Sequence, residues 1–144
     1  MVKREQKFLT EFGKEIKGRN QDIFWFKIPD YATRQQVAKP YDVEMTFCGT
    51  PVGIEAKFSR SRPRDYEGLL RLSQHQGLDW KIAAGGKAFV FVEVEDRVKN
   101  RYLLIINHET GDTVEVPYDK NWHTAVTVFL DLFQNKENSN WEDF

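Results

Sequence analysis

The residues of this chain that are best suited to chemistry are Glu55 and Lys57, which lie two apart in the apolar run 52–58. Residues two apart in a strand share one face of a sheet, so this carboxylate and ammonium should point the same way. Asp42 precedes them near the start of another strand-like run. Carboxylate oxygens are the ligands that Mg²⁺ prefers, and a nearby lysine can stabilise a phosphate or the attacking water. The pattern therefore predicts the layout of a divalent-metal nuclease.

The Asp/Glu-x-Lys spacing alone is weak evidence, because it occurs four times in the chain. Only the pair at 55 and 57 lies in a strand-like run and follows a second such run that carries an acid. The other three pairs are typical of ordinary charges on helices, and they are Glu5 with Lys7, Glu15 with Lys17, and Asp79 with Lys81.

The composition predicts one domain over residues 1–144, with a polar tail that frays from about residue 136. Hydrophobic residues make up 40% of the chain, which is enough for a real core. The single cysteine, Cys48, excludes an internal disulfide. No apolar run approaches the length of a membrane span, and no signal peptide is evident. We therefore expect a cytoplasmic protein with no membrane partner.

The net charge of −1 argues against a protein that binds nucleic acid through bulk positive potential. The distribution of charge softens this argument, because residues 57–71 carry five basic residues against two acidic ones. Arg60, Arg62 and Arg64 form a basic loop that directly follows the predicted metal site. They are candidates for contacts with DNA phosphates, and the alternative is a loop that is merely solvated.

Hydrophobic periodicity predicts an α/β fold in which a mixed sheet is flanked by helices. The predicted helices cover residues 3–17, 65–83 and 123–134, and the predicted strands cover 23–28, 41–47, 52–58, 88–94, 101–107 and 113–117. The run 88–94 is the most apolar and should be the central strand.

Two polar residues fall on apolar helix faces, where an ordinary surface residue is not expected. Glu5 lies near the centre of the apolar face of the first helix. Gln76 is predicted to point inward from the second helix, whereas Gln74 and His75 are not. The inner face of that helix is predicted to consist of Tyr66, Leu69, Leu70, Ser73, Gly77 and Trp80.

Two segments of the chain resemble a known enzyme family. The segment KPYDVEMTFCGTPVGIEAKFS (39–59) is similar to one in which a strand with Asp leads into Glu-Ala-Lys, and RLSQHQGLDWKIAAGGKAFVFVEV (71–94) is similar to a helix with His-Gln followed by a buried strand. Together they resemble the PD-(D/E)XK nuclease superfamily, and within it the RecU-type Holliday-junction resolvases and their phage relatives. The resemblance covers about residues 5–95.

The resemblance implies a restriction-endonuclease-like fold and a Mg²⁺-dependent endonuclease that acts on DNA, with Mn²⁺ as a substitute. Asp42, Glu55 and the backbone carbonyl of Ala56 would bind the metal, and Lys57 would act on the water or the phosphate. Glu5 would approach from the first helix, and Gln76 would orient Lys57 or the substrate. A bacterial or phage-encoded homodimer that acts on four-way junctions is expected.

Other interpretations of the same residues stay open. Asp42 is also typical of an acid at a strand start or turn. Glu55 and Lys57 are compatible with the solvated face of an edge strand. A restriction-like or repair nuclease of the same superfamily, or a DNA-binding or assembly protein that keeps the fold without turnover, would share much of the pattern.

Overall fold

A computed structural model describes residues 3–19, 22–29 and 39–142 of the chain. In this part of the chain, six strands form one sheet in the order β1 to β6, and three helices flank it. The predicted α/β class is confirmed. None of the helices described here is long and apolar enough to cross a membrane. The strands are β1 (Ile23–Lys27), β2 (Val43–Phe47), β3 (Thr50–Ser59), β4 (Lys87–Glu95), β5 (Arg101–Asn107) and β6 (Thr113–Pro117), and the helices are α1 (Lys3–Lys17), α2 (Leu72–Ala83) and α3 (His123–Glu142).

The sheet is mixed because β3 and β4 run parallel, whereas the other neighbouring strands pair in antiparallel fashion. Parallel neighbours need a crossover connection, and α2 lies in the segment that joins these two strands. The β2–β3 hairpin turns through Cys48 and Gly49, both with positive φ, which is the geometry of a tight two-residue hairpin turn.

Alternate residues of the central strands enter two separate cores. On one face, Ile54 and Phe91 pack with the aromatic side chains of α1 and α3. On the other face, Val90 and Val92 pack with Leu78 of α2. All of residues 88–94 are buried, which confirms that β4 is a central strand covered on both sides.

Two helix boundaries differ from the prediction. The helix α2 begins at Leu72 rather than at residue 65, because Leu70 and Arg71 are extended and only residues 67–69 form a short 3₁₀ turn before them. The helix α3 continues to Glu142 instead of ending near residue 134. The segment 123–142 contains no glycine or proline to end it, so the polar composition of its second half was a poor guide to its end.

The helix α2 approaches the segment before β2 very closely at Gly77. A Cβ atom on Gly77 would lie 2.2 Å from the carbonyl oxygen of Pro40 and 2.7 Å from its carbonyl carbon. Both neighbouring atoms belong to the backbone, so no side-chain rotation would relieve the clash. Glycine at this position therefore lets α2 fix the backbone two residues before Asp42.

We predict that Gly77→Ala destabilises the protein by roughly 1–3 kcal/mol, the usual range for overpacking, although alanine is the better helix former. Thermal or denaturant unfolding measures this change. The control is Gly68→Ala, because a Cβ on Gly68 would meet nothing closer than the Asp65 side chain at 3.5 Å. Equal stability of the Gly77 variant and the wild type would contradict the close packing.

Candidate active site

The candidate site forms where β3 extends beyond its neighbour β2. The last pair of the two strands joins Val43 to Ile54, so residues 55–59 of β3 have no β2 partner. Buried backbone N–H groups on such an edge require other acceptors. The Ala56 N–H donates to Asp42 Oδ2 at 2.8 Å. The backbone of Phe58, two residues on, hydrogen-bonds the Glu5 carboxyl group of α1. Two acids therefore line the free edge of this strand.

Asp42 and Glu55 form a buried pair of carboxyl groups. Their side chains are only 3% and 5% exposed, and the register places them beside each other, one step past Val43 and Ile54. Burial raises the pKa of Glu55 to about 9, and the charge of Asp42 together with a hydrogen bond to it contributes to the same rise. A carboxyl group in this state holds a proton near neutral pH and uses it to donate a hydrogen bond to Asp42.

Lys57 and Gln74 complete the surroundings of Glu55. Ile54 and Ala56 face the aromatic core, so the alternation of the strand turns Glu55 and Lys57 to the face that carries α2. Lys57 Nζ lies 4.0 Å from Glu55 Oε2. Gln74 Nε2 donates to the same oxygen at 3.2 Å, while Gln74 Oε1 accepts the Arg71 backbone N–H at 3.0 Å. The amide is thus held at both ends, which fixes its orientation.

Glu5 belongs to the same electrostatic environment, although it reaches the site from the opposite side of the sheet. The side chain is about half-buried, and burial raises its pKa. Among the neighbouring charges, Lys57 lowers this pKa and Asp42 raises it. The structure therefore brings together four of the residues that the sequence selected: Glu5, Asp42, Glu55 and Lys57.

The prediction that Gln76 points inward is wrong. Its side chain is exposed, and Gln74 occupies the inner face instead. The error follows from the helix start, since Tyr66, Leu69 and Leu70 precede α2 and cannot define its inner face. Trp80, also predicted on that face, is 71% exposed. With the start at Leu72, the spacing of Gln74, Gly77, Leu78, Lys81 and Ile82 gives the correct stripe.

The basic loop is exposed, but two of its arginines already have acidic partners. Arg60 lies 3.4 Å from Glu95, and Arg62 is paired with Glu115. Arg64 is exposed as well. Exposed ion pairs of this kind contribute little to stability, so the arginines can exchange their acidic partners for other anions. Contact of the three arginines with DNA phosphates stays a prediction.

The sequence analysis overlooked Lys39. Its Nζ lies 2.9 Å from Asp42 Oδ1, and its side chain is 15% exposed. The residue lies outside the predicted strands and helices, and it was given no role. The spacing of three residues between a lysine and the acid at the start of a strand was the available signal.

The donor set fits a hard divalent cation bound by few protein ligands. Among the described residues, no three His, Cys, Asp or Glu side chains converge closely enough to hold a metal by themselves. Asp42 and Glu55 do converge, and burial forces one of them to keep a proton. A divalent cation can replace that proton, and Mg²⁺ commonly uses one or two carboxylates together with water and substrate phosphates. Ala56 contributes its N–H to Asp42, and its carbonyl stays a predicted ligand.

Comparisons with known proteins leave the family of the chain open. No protein-family model matches the chain, and no curated protein was found to be similar to it. Among solved structures, the chain is similar to Hjc from Archaeoglobus fulgidus, a Holliday junction resolvase from an archaeal hyperthermophile. That similarity has a TM-score of 0.44 and 14% sequence identity, and it covers 78% of this chain and 84% of that one.

The raised pKa of Glu55 predicts that the metal-free protein loses stability as the pH increases. In the unfolded chain this group titrates near 4.5, whereas in the folded protein it titrates near 9. The folded state therefore binds more protons between these values, and the stabilising contribution, complete below about pH 4.5, is lost as the pH rises toward 9.

The test is Glu55→Gln in the metal-free protein, because glutamine stays neutral at every pH. The stability of this variant relative to the wild type should increase steadily from pH 5 to about pH 9 in thermal unfolding with a chelator present. Glu44→Gln is the control, since Glu44 lies on β2 and pairs with Lys81 instead. Parallel pH profiles for wild type and Glu55→Gln would show that Glu55 ionises normally.

Proposed function

We propose that this chain is a Mg²⁺-dependent DNA endonuclease that hydrolyses phosphodiester bonds, with four-way junctions as its preferred substrate. The observation that carries the proposal is the buried pair of Asp42 and Glu55, with Lys57 and Gln74 on the same carboxylate. Burying two carboxyl groups side by side costs free energy unless a cation binds to both of them. Such a combination of perturbed acids and a lysine is typical of an active site rather than of a solvated strand face.

In this mechanism, Asp42, Glu55 and the Ala56 carbonyl would hold the metal at the free edge of β3. Mg²⁺, when bound, supplies positive charge at the phosphoryl oxygens and lowers the pKa of its water. Lys57, on the same strand face as Glu55, places its ammonium where it can stabilise the phosphate or the attacking water. Gln74 orients Glu55 through its amide nitrogen, and Glu5 adds a further acid at the edge.

The finer parts of the proposal concern the substrate and the assembly. The sequence resemblance to junction resolvases is what favours a branched substrate. Symmetric cleavage of two strands at a four-way junction needs two active sites, so we propose a homodimer. The arginines of the basic loop would exchange Glu95 and Glu115 for DNA phosphates. We also propose that the protein acts in the cytoplasm and that Mn²⁺ replaces Mg²⁺.

The deciding experiment is a cleavage assay on junction, flap, duplex and single-stranded DNA with Mg²⁺, with Ca²⁺ and without metal. Asp42→Asn and Glu55→Gln should each abolish cleavage, and Lys57→Ala should reduce turnover by about a hundredfold. Ca²⁺ should support DNA binding without turnover. Glu11→Ala and Lys17→Ala on α1 are the controls and should cleave like the wild type.

Each outcome of this assay separates the proposal from its alternatives. Cleavage of duplex or flap DNA in preference to junctions would indicate a restriction-like or repair nuclease. Binding of DNA without cleavage by the wild type under any condition would indicate a non-catalytic DNA-binding protein. Full cleavage by both carboxylate variants would remove the metal assignment.

The two neighbouring glutamines of α2 provide a matched test of the site geometry. Gln74→Ala should lower kcat, because it leaves Glu55 without its amide donor, whereas Gln76→Ala alters an exposed side chain and should leave kcat unchanged. Steady-state cleavage at saturating DNA measures both. If Gln76→Ala were the more damaging change, the register of α2 against the sheet described above would be wrong.

A further inference from the structure

The Lys39 ammonium lies against one oxygen of the Asp42 carboxylate. Lys39 Nζ is 2.9 Å from Asp42 Oδ1 and 3.3 Å from the carbonyl oxygen of Ile28. The other oxygen of this carboxylate, Oδ2, accepts the N–H of Ala56. Both oxygens of Asp42 are therefore engaged in the structure, one by the strand edge and one by the lysine.

Lys39 acts on the carboxyl pair rather than on Asp42 alone. Its positive charge also reaches Glu55, whose ionised form it favours. Lys57 contacts the pair on the other side, through Glu55 Oε2 at the longer distance of 4.0 Å. Without such charges, two buried acids side by side would repel each other once both were ionised. Lys39 is thus the closest cation to Asp42 among the described contacts.

We propose that Lys39 is an internal counter-ion that a divalent cation must displace from Asp42 Oδ1 in order to bind. An ammonium group at Oδ1 repels a metal ion that approaches the same oxygen, while Oδ2 already accepts the Ala56 N–H, so the two cations compete for Oδ1. Lys39 would hold the metal-free site together and weaken the affinity of the site for metal. This inference rests on the proposed function, because it assumes that Asp42 is a metal ligand.

The test is the affinity for Mn²⁺, measured by calorimetry without DNA at fixed pH and ionic strength. Lys39→Met keeps the length of the side chain and removes its charge, so it should bind Mn²⁺ at least tenfold more tightly than the wild type. Lys81→Met is the matched control, because Lys81 is likewise a lysine paired with an acid, but that acid is Glu44. Its affinity should equal that of the wild type.

A second variant keeps the proposal testable if Lys39→Met folds poorly. Lys39→Arg retains the charge, and its affinity for Mn²⁺ should stay near that of the wild type. The melting temperature of Lys39→Met should be lower than that of the wild type with chelator, and saturating Mn²⁺ should raise it by a larger amount. Circular dichroism checks that each variant is folded.

The results separate this inference from the proposed function. Equal or weaker binding of Mn²⁺ by folded Lys39→Met would overturn the role of Lys39 and leave the metal site intact. An equal gain in affinity for Lys39→Arg would also overturn it, because the charge would not be the cause. Absence of binding by every variant would overturn both the metal site and the counter-ion.

Discussion

The hydrogen bond from the Ala56 N–H to Asp42 is the interaction on which the rest of the site depends. The strand β3 is longer than β2, so its second half presents unpaired backbone groups at a buried edge. A carboxylate is a strong acceptor for such a group, and it draws Asp42 into the interior beside Glu55. The raised pKa of Glu55 and the amide of Gln74 on it follow from that placement. A difference in strand length is therefore the structural origin of the acid pair.

The acid pair is not explained by stability alone. Apolar side chains of similar size would fill the same space without the cost of removing two carboxyl groups from water. The protein offsets part of this cost with a backbone N–H, a glutamine amide and two lysines. The hydrophobic cores on the two sides of the sheet supply the stability that offsets the rest of this cost.

Much of the fold was predictable because the sequence patterns are local. The alternation in β2 and β3 and the apolar run of β4 reflect burial that each strand experiences over its whole length. The chemical pair of Glu55 and Lys57 was predictable for the same reason, since two residues in one strand share a face. Glu5 was identified from its place on an apolar helix face, which is also a local property.

The parts that the sequence did not predict depend on features that no periodic pattern marks. The start of α2 is set by the extended residues Leu70 and Arg71, and no strong N-cap residue marks it. The predicted helix therefore began too early, and Gln76 was assigned to the inner face in place of Gln74. Lys39 lies in a stretch without periodicity, and its role follows only from the position of Asp42 in three dimensions.

The close contact between Gly77 and Pro40 links the assembly of the site to the completion of the fold. The same helix turn carries Gln74, and the same backbone segment leads into Asp42. Proteins open locally in cooperative units, and a helix packed on one face of a sheet can open as such a unit. When α2 leaves the sheet, Glu55 loses its amide donor. The segment before Asp42 loses its packing against Gly77 at the same time. A partly opened chain therefore lacks the support of α2 at both acids, so the site is complete only while this helix is docked.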